Sequence, residues 1–172
     1  RERKSRVMVL EDTNGDGKMD KSTTFVDDMI NVRCLSFVDG GVLVVESGAL
    51  WFCQDKDGDL VCDEKKKLMD FATSAHGNIE HAENALHFAL DNWMYNSKSS
   101  RKLAWRRGQI VQMPARGRGQ WGMGSDAYGR LYFNSNSQWF EVDWATYDRQ
   151  WPSKGSSVRA PINRVYGIRP NT

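Results

Sequence analysis

The stretch DTNGDGKMD, residues 12–20, returns in altered form as DKDGDLVCD at residues 55–63. The second copy begins 43 residues after the first. The first copy lies between VMVLED and STTFVDD, two short segments rich in β-branched residues, so we expect a strand, a loop and a second strand. The segment ALWFCQ before the second copy is also strand-like, and KKKLMDF after it is less clear. The same loop motif, occurring twice between predicted strands, indicates a repeated β-structure.

Both loops place oxygen-bearing groups at matching positions, counted from the first aspartate. Side-chain oxygens fall at positions 1, 3, 5 and 9, and position 7 offers a backbone carbonyl. Calcium takes about six to eight oxygen ligands, and clustered carboxylates are unfavourable without a cation among them. The sequence therefore predicts two calcium sites. Their ligands would be Asp12, Asn14, Asp16, Lys18 and Asp20 in the first loop, and Asp55, Asp57, Asp59, Val61 and Asp63 in the second.

These loops differ from EF-hands. Thr23 and Lys66 stand at the twelfth position, where an EF-hand has a glutamate, and helical flanks are missing. Gly15, Gly17 and Gly58 give the turns their conformational freedom. We expect calcium loops between β-strands, each stapling the outer strands of one repeat. The alternative is a polar hairpin whose acids are coincidental.

A second repeated pattern supports an all-β fold. Residues 35–47, LSFVDGGVLVVES, predict a hairpin, and related phrases begin at Leu86 and Trp121. The aligned aspartates are Asp39, Asp91 and Asp126, spaced 52 and then 35 residues apart. Repeats of this length built from short strands are typical of β-propeller blades. We predict about three to four blades in residues 1–172, as part of a larger propeller, with a β-sandwich as the alternative.

Composition excludes several classes of function. Twenty-four Lys and Arg against 22 Asp and Glu leave a charge of +2, which demands neither nucleic acid nor an anionic membrane. No apolar run reaches the length of a membrane-spanning helix. The basic, glycine-containing segment 98–119 is expected to be an exposed inter-blade loop, and an RNA-binding function fails on the overall charge. Residues 150–172 hold three of the four prolines and predict an irregular tail.

The three cysteines leave two interpretations open. Cys53 and Cys62 flank the second acidic loop, where they would close a hairpin disulfide or remain reduced. Cys34 lies in an apolar segment and is expected to pack in the core. A calcium requirement and a disulfide both favour a periplasmic or other extracytoplasmic location. No CxxCH motif for haem attachment occurs in this segment.

All three histidines lie in the segment 76–95. His81 precedes a predicted inner strand, and loops at that place face the central channel of a propeller. A neutral imidazole there would accept a proton from a substrate hydroxyl, oriented by Glu80 or Glu83. The alternatives are a histidine hydrogen-bonded within its loop and a transition-metal site shared with His76 and His87.

A second candidate site lies in residues 117–140. Trp121 sits among small residues and would offer a ring face to a planar ligand or a sugar. Asn134 and Asn136 follow a predicted strand end, where they would hydrogen-bond polar ligand groups. Arg116 and Arg118 would meet carboxylates. Core packing for the tryptophan, turns for the asparagines and a solvated loop for the arginines are the alternatives.

Four segments carry a resemblance to a known family: RVMVLEDTNGDGKMDKSTTFVDD, GGVLVVESGALWFCQDKDGD, EHAENALHFALDNWMYN and GQWGMGSDAYGRLYFNSNS. Together they resemble the N-terminal propeller of the planctomycete-type membrane-bound dehydrogenases, which are similar to quinoprotein glucose and sorbosone dehydrogenases. The resemblance implies an exported β-propeller with calcium and pyrroloquinoline quinone. It also implies that His81 is the catalytic base and that electrons pass to a cytochrome c.

Two functional hypotheses follow. The first is a calcium-binding propeller dehydrogenase that oxidises a sugar or alcohol with a quinone cofactor. The second is a non-catalytic propeller that serves as a scaffold or interaction subunit in a larger extracytoplasmic or membrane-associated redox complex. Partners in either case would be a cytochrome c or another redox subunit, and the rest of a longer chain.

Overall fold

The computed structural model describes residues 4–71, 78–136 and 140–143. These residues form thirteen strands in four antiparallel sheets, and their one helical element is the short 3₁₀ turn Ile79–His81. The all-β class expected from the sequence is therefore confirmed. No helix in the described parts of the chain is both long and apolar enough to cross a membrane.

The chain divides into two compact units, residues 1–77 and residues 78–172. The first unit holds a two-stranded and a four-stranded sheet, and the second holds a four-stranded and a three-stranded sheet. Both four-stranded sheets run in chain order, so each is a simple antiparallel meander. The predicted irregular tail, 150–172, lies outside the described residues.

In the first unit the acidic loops join neighbouring antiparallel strands. The sheets are β1 (Ser5–Glu11) with β2 (Lys21–Met29), and β3 (Cys34–Val38), β4 (Gly41–Glu46), β5 (Ala49–Gln54) and β6 (Glu64–Asp70). The first loop connects β1 to β2, and the second connects β5 to β6. The strand, loop and strand order expected around both loops is confirmed, and the unclear segment after the second loop is β6.

The core of this unit forms where β2 meets the four-stranded sheet. Phe25, Val26 and Met29 of β2 pack with Val44 of β4 and Cys53 of β5. Removing this apolar surface from water stabilises the unit by roughly 25 cal/mol per Å².

A buried carboxylate fastens the end of β2 to the sheet. Glu46 is 4% exposed, and its two oxygens accept hydrogen bonds from the Ile30 backbone N–H at 2.6 Å and from Trp51 Nε1 at 2.8 Å. A buried carboxylate is stable only when it is hydrogen-bonded in this way. Glu46 therefore holds the chain in position between the two acidic loops.

The second unit is built from seven strands. They are β7 (Asn84–Phe88), β8 (Met94–Ser97), β9 (Arg101–Arg106) and β10 (Gln109–Pro114) in the four-stranded sheet, and β11 (Gly124–Ser125), β12 (Leu131–Phe133) and β13 (Glu141–Val142) in the three-stranded sheet. Ala89, Tyr95 and Leu131 form a buried cluster in this unit. Tyr95 lies on β8 and Leu131 on β12, so the two sheets share this cluster.

The prediction that segment 98–119 is an exposed loop is wrong. Its central part forms strands β9 and β10, joined by a two-residue turn in which Arg107 and Gly108 both have positive φ, 49° and 76°. That backbone matches the twist of a tight hairpin. Leu103 and Ala104 of β9 are fully buried.

The error has a physical cause, since basic side chains can be packed as well as solvated. The Nζ of Lys102 lies 5.0 Å from the Trp93 ring centroid and 3.5 Å from Tyr95 Oη. The side chain of Arg101 binds the buried carboxylate of Glu83. Aromatic faces and a carboxylate thus accommodate charges that composition alone assigns to solvent.

Two of the aligned aspartates perform the same structural task. Asp91 accepts the hydroxyl proton of Tyr95 at 2.7 Å, and Asp126 accepts that of Tyr132 at 2.9 Å. Each also accepts a backbone N–H from two residues further along, in Trp93 and Tyr128 respectively. The repeat visible in the sequence is thus a repeat of aspartate turns that bind the tyrosine of the next strand.

Asp126 provides a pH-dependent test of these turns. Desolvation alone raises its pKa, but hydrogen bonds from Arg130, Tyr132 and Tyr128 outweigh it and lower the pKa from 3.8 to about 2. A lowered folded-state pKa gives stability that is present above pH 3.8 and lost as the pH falls towards 2. We expect Asp126→Asn to lower the urea midpoint at neutral pH, and the difference from the wild type to shrink across that window. A difference that stays constant with pH would contradict the assignment.

Candidate functional site

The two acidic loops fold alike, beginning at position 1. In each loop the position 1 carboxylate accepts the backbone N–H groups of positions 4 and 6. The bonds to Asp12 come from Gly15 (2.7 Å) and Gly17 (2.8 Å), and those to Asp55 come from Gly58 (2.7 Å) and Leu60 (2.9 Å). The loop backbone therefore wraps around the carboxylate of its first aspartate.

The later positions match as well. Position 3 accepts from the N–H of position 5, position 5 accepts from position 7, and position 9 accepts from position 2. The acceptors are Asn14, Asp16 and Asp20 in the first loop (2.9, 2.8 and 3.0 Å) and Asp57, Asp59 and Asp63 in the second (3.3, 2.8 and 2.7 Å). A carboxylate that accepts one or two N–H groups keeps further lone pairs for a cation.

The second loop brings three carboxylates together. Oxygen atoms of Asp55, Asp57 and Asp63 all lie within 4.8 Å of one another. Asp59 is not in this group. Within residues 4–71, 78–136 and 140–143, this is the one set of three or more Asp, Glu, His or Cys side chains whose ligand atoms lie within 4.8 Å of one another.

The first loop places its acids differently. Its position 3 is the neutral Asn14. Among the described residues, the oxygens of its three carboxylates do not all lie within 4.8 Å of one another. Both oxygens of Asp20 accept the hydroxyl of Thr13 at 2.9 Å. The corresponding residue of the second loop is Lys56, whose ammonium instead pairs with Glu64 at 2.6 Å. The aspartate at position 9 therefore has a side-chain hydroxyl partner in the first loop but not from the same position of the second. The spacing of the acids did not predict this difference.

Hydrogen bonding keeps the key acids charged. The backbone N–H of Gly17 lowers the pKa of Asp12, that of Gly58 lowers the pKa of Asp55, and that of Thr13 lowers the pKa of Asp20. Both loops therefore present ionised oxygens at neutral pH. Hard carboxylate, amide and carbonyl oxygens fit calcium, which accepts an irregular, mixed oxygen shell more readily than magnesium does.

Glycine at position 4 provides a conformational test. Gly15 and Gly58 have φ values of 78° and 86°, and a Cβ at either would meet no heavy atom within 4 Å. Because the left-handed region costs a non-glycine residue about 1–2 kcal/mol, we expect Gly58→Ala to lower the free energy of unfolding by about 1 kcal/mol. Chemical denaturation measures it.

The matched control is Gly124→Ala, since Gly124 has equal space around it and no left-handed φ. It should change stability by less than about 0.5 kcal/mol. Equal effects of the two substitutions would contradict the conformational explanation. At position 6 the same region is occupied by Gly17 in the first loop and by Leu60, with φ of 70°, in the second.

The cysteines are present as thiols. Cys53 is fully buried, and burial, together with the neighbouring Cys62, raises the pKa of its thiol to about 12. Cys62 is half-buried, and its Sγ donates to the carbonyl of Glu64 at 3.2 Å. Cys34, expected in the core, is half-buried on β3.

His81 ends the 3₁₀ turn and is exposed. Its two suggested orienting acids are placed differently. Glu80 is exposed, whereas Glu83 is buried and its carboxylate accepts two hydrogen bonds from Arg101, at 3.2 and 2.6 Å. His87 is half-buried on β7, and burial lowers its pKa. His76 lies outside the described residues, so the assignment of His81 as a base remains a prediction.

The second unit contains a cavity of about 260 Å³. Its lining includes the aromatic rings of Trp121, Tyr132, Phe133 and Phe140, together with Asn134. The indole Nε1 of Trp121 donates to Asn136 Oδ1 at 3.2 Å. The structure thus brings together three of the five residues predicted to bind a cofactor: Trp121, Asn134 and Asn136.

The two arginines of that prediction lie elsewhere. Arg118 is buried, its Nε donates to the buried carboxylate of Asp143, and its guanidinium lies 4.6 Å from the Tyr95 ring centroid. Arg116 is exposed, and its carbonyl accepts a hydrogen bond from Arg118 Nη1. No sequence pattern indicated that Asp143 would pair with Arg118, because the two residues are 25 positions apart.

The cavity does not fit pyrroloquinoline quinone as the resemblance implied. That cofactor is a tricarboxylate and needs cationic partners. The described lining residues are aromatic, aliphatic or amide, and none is charged. The lining fits an uncharged ring better, since an exposed indole face stacks on planar or sugar rings.

Comparison with known proteins adds one finding. The family model described as "Domain of unknown function (DUF7133)" matches residues 1–169. No curated protein and no solved structure matches. The match includes both acidic loops and the aromatic cavity.

Proposed function

The chain belongs to the DUF7133 family, and from this premise we propose that it is a calcium-binding β-propeller segment in which each acidic loop holds one calcium ion. One observation carries the proposal: oxygens of Asp55, Asp57 and Asp63 converge within 4.8 Å in a loop between two strands. The matched hydrogen bonds extend it to the first loop, where Asp12 takes the place of Asp55.

The ion in each loop would have a structural role. Carboxylate and amide oxygens at positions 1, 3, 5 and 9, with the carbonyl of Lys18 or Val61 at position 7, would surround it. The cation would neutralise acids that otherwise repel one another and would fix the hairpins β1–β2 and β5–β6. The two ions would thereby stabilise these hairpins in the folded state.

The propeller architecture is supported by the order of the strands. A blade is a four-stranded antiparallel meander, which is the arrangement of β3–β6 and of β7–β10. The second loop joins the last two strands of its sheet. We propose that β1 and β2 are the last two strands of a preceding blade, since their loop lies one repeat earlier, 43 residues before.

We propose a scaffold role in an extracytoplasmic redox assembly. Loops of this type bind calcium well only where the free ion is abundant, which favours the periplasm or another extracytoplasmic compartment. The family resemblance adds a cytochrome c or another redox subunit as the partner, along with further segments of a longer chain.

Calcium titration by calorimetry tests the metal proposal. We expect two ions per chain in the wild type and one in either Asp12→Asn or Asp55→Asn, because each substitution removes the position 1 ligand of one loop. Asp70→Asn, which removes an exposed acid on β6 outside both loops, should leave two. A wild-type chain that binds no calcium, or loses none on these substitutions, overturns the proposal.

The second candidate function is oxidation of a sugar or alcohol. It is favoured by the presence of Trp121 and Asn134 in the lining of one cavity, with Asn136 bonded to the Trp121 indole. Dye-linked oxidation, measured with and without added quinone and calcium, tests it. Activity that persists in His81→Asn would remove His81 as the base, and a complete lack of activity would favour the scaffold.

A further inference from the structure

Two thiols bracket the second acidic loop. Cys53 lies on β5, two residues before Asp55, and Cys62 immediately precedes Asp63. Both side chains pack in the same apolar cluster under β2, and Cys62 is near enough to Cys53 to raise the pKa of its thiol. The thiols thus meet at the base of the loop that carries the acidic group.

The first loop provides an internal comparison. Its residues at the same two positions are Leu10 and Met19, and both are exposed, at 58% and 60%. The two loops share their acidic pattern and backbone hydrogen bonds but not this pair. The thiols are therefore not needed to form such a loop, and their contact calls for another explanation.

The backbone holds the two cysteines in place. The N–H of Cys62 donates to the Phe25 carbonyl of β2 at 2.8 Å, and that of Asp63 donates to the Gln54 carbonyl at 2.9 Å. Two thiols that pack in one cluster form a bond of about 2.05 Å when side-chain rotation brings their sulfur atoms together. Cys62 is half-buried and Cys53 fully buried, so a reagent would reach Cys62 first.

We propose that Cys53 and Cys62 form a reversible disulfide that locks the base of the second loop. The oxidant is a small-molecule disulfide. The Cys62 sulfur attacks it, which gives a mixed disulfide and releases one thiol that carries the Cys62 proton. The Cys53 sulfur then attacks Cys62, breaks the mixed disulfide and releases the second thiol with the Cys53 proton. The protein loses two electrons and two protons, and the reagent gains both.

The consequence for calcium rests on the proposed function. A crosslink from two residues before position 1 to position 8 restricts the motion of the loop when no ion is bound. The loop then loses less conformational entropy when calcium binds, so its affinity for calcium rises. We expect calcium to bind the second loop about three- to tenfold more tightly in the oxidised form, and the first loop to be unchanged.

Peptide mapping tests the disulfide independently of calcium. The chain is treated with oxidised glutathione, unreacted thiols are alkylated, and the protein is digested with trypsin. Cleavage after Lys56 separates the two cysteines, so a bridge joins the peptides 34–56 and 57–65. Because the first peptide also contains Cys34, the Cys34→Ser variant shows which cysteine is bridged.

The expected result is a linked pair of peptides in the wild type and in Cys34→Ser, and no link in Cys62→Ser. Reduction should release both peptides. A mixed disulfide with glutathione at Cys62 as the end product, or a link that disappears in Cys34→Ser, overturns the proposal. Circular dichroism of Cys62→Ser, compared with that of the wild type, checks that the loss of the link is not due to misfolding.

Calcium titration of the Asp12→Asn variant then isolates the second loop in both redox forms. Tighter binding in the oxidised form supports the coupling, and equal binding overturns it while leaving the disulfide intact. If the disulfide forms and neither form binds calcium, the calcium function fails and the thiol chemistry stands. Cys62→Ser in the same background should bind equally before and after glutathione treatment.

Discussion

We expect removal of calcium to lower the melting temperature of this chain by about 10 °C or more. A ligand present at about 100 times its Kd, bound only by the folded state, adds about 2.7 kcal/mol of stability, and two sites add twice that. In a chain of this size each kcal/mol shifts the melting temperature by about 2–4 °C. Differential scanning calorimetry in calcium and in excess EGTA measures the shift.

Variants divide that shift between the loops. Asp12→Asn and Asp55→Asn should each remove about half of the calcium-dependent increase, because each disables one site. Asp70→Asn is the control for loss of an acid, since its carboxylate is exposed and pairs with Lys67 at the surface. A melting temperature that EGTA leaves unchanged would mean that the acidic loops are polar hairpins held by their own hydrogen bonds.

Arg118→Ala should lower the free energy of unfolding by about 3–5 kcal/mol. The side chains of Arg118 and Asp143 are only 4% and 3% exposed, so the substitution leaves a buried carboxylate without its cation. It also removes the guanidinium from the face of Tyr95, 4.6 Å away. Urea denaturation followed by tryptophan fluorescence measures the loss.

The matched control is Arg116→Ala, which removes an equal charge from an exposed position two residues earlier. It should change stability by less than about 0.5 kcal/mol. Arg118→Met keeps much of the buried volume, so its comparison with Arg118→Ala separates lost packing from the unpaired charge. An Arg118→Ala chain as stable as the wild type would show that Arg118 is available for a ligand after all, as the sequence suggested.

Most of the local structure was predictable, because it depends on neighbours in the chain. The strands around both loops followed from β-branched and apolar residues, and the hairpin turn at Asp39 from its two glycines. The exception was segment 98–119. Its sequence does contain a turn signal, Arg107-Gly108, between the apolar residues of two strands, but the density of positive charge outweighed it.

The candidate sites were predictable only in part. Trp121 and Asn134 do line one cavity, and Asn136 accepts a hydrogen bond from Trp121, but the arginines expected beside them do not line it. An arginine in a glycine-rich segment looks the same in sequence whether it is solvated, ligand-binding or buried. Arg118 is buried because Asp143 lies beside it in the folded chain, and that position is not visible in the local sequence.

The sequence by itself determined the two loops. The spacing of Asp12, Asn14, Asp16 and Asp20, repeated from Asp55, is enough to specify turns whose side chains bind N–H groups a few residues away. Long-range contacts determine which acids converge, that Cys53 and Cys62 share one apolar cluster, and that Arg118 is buried against Asp143. The physical reason is range: a turn is fixed by the geometry of a few consecutive peptides, whereas contacts between distant residues depend on strand register and on packing of the whole sheet.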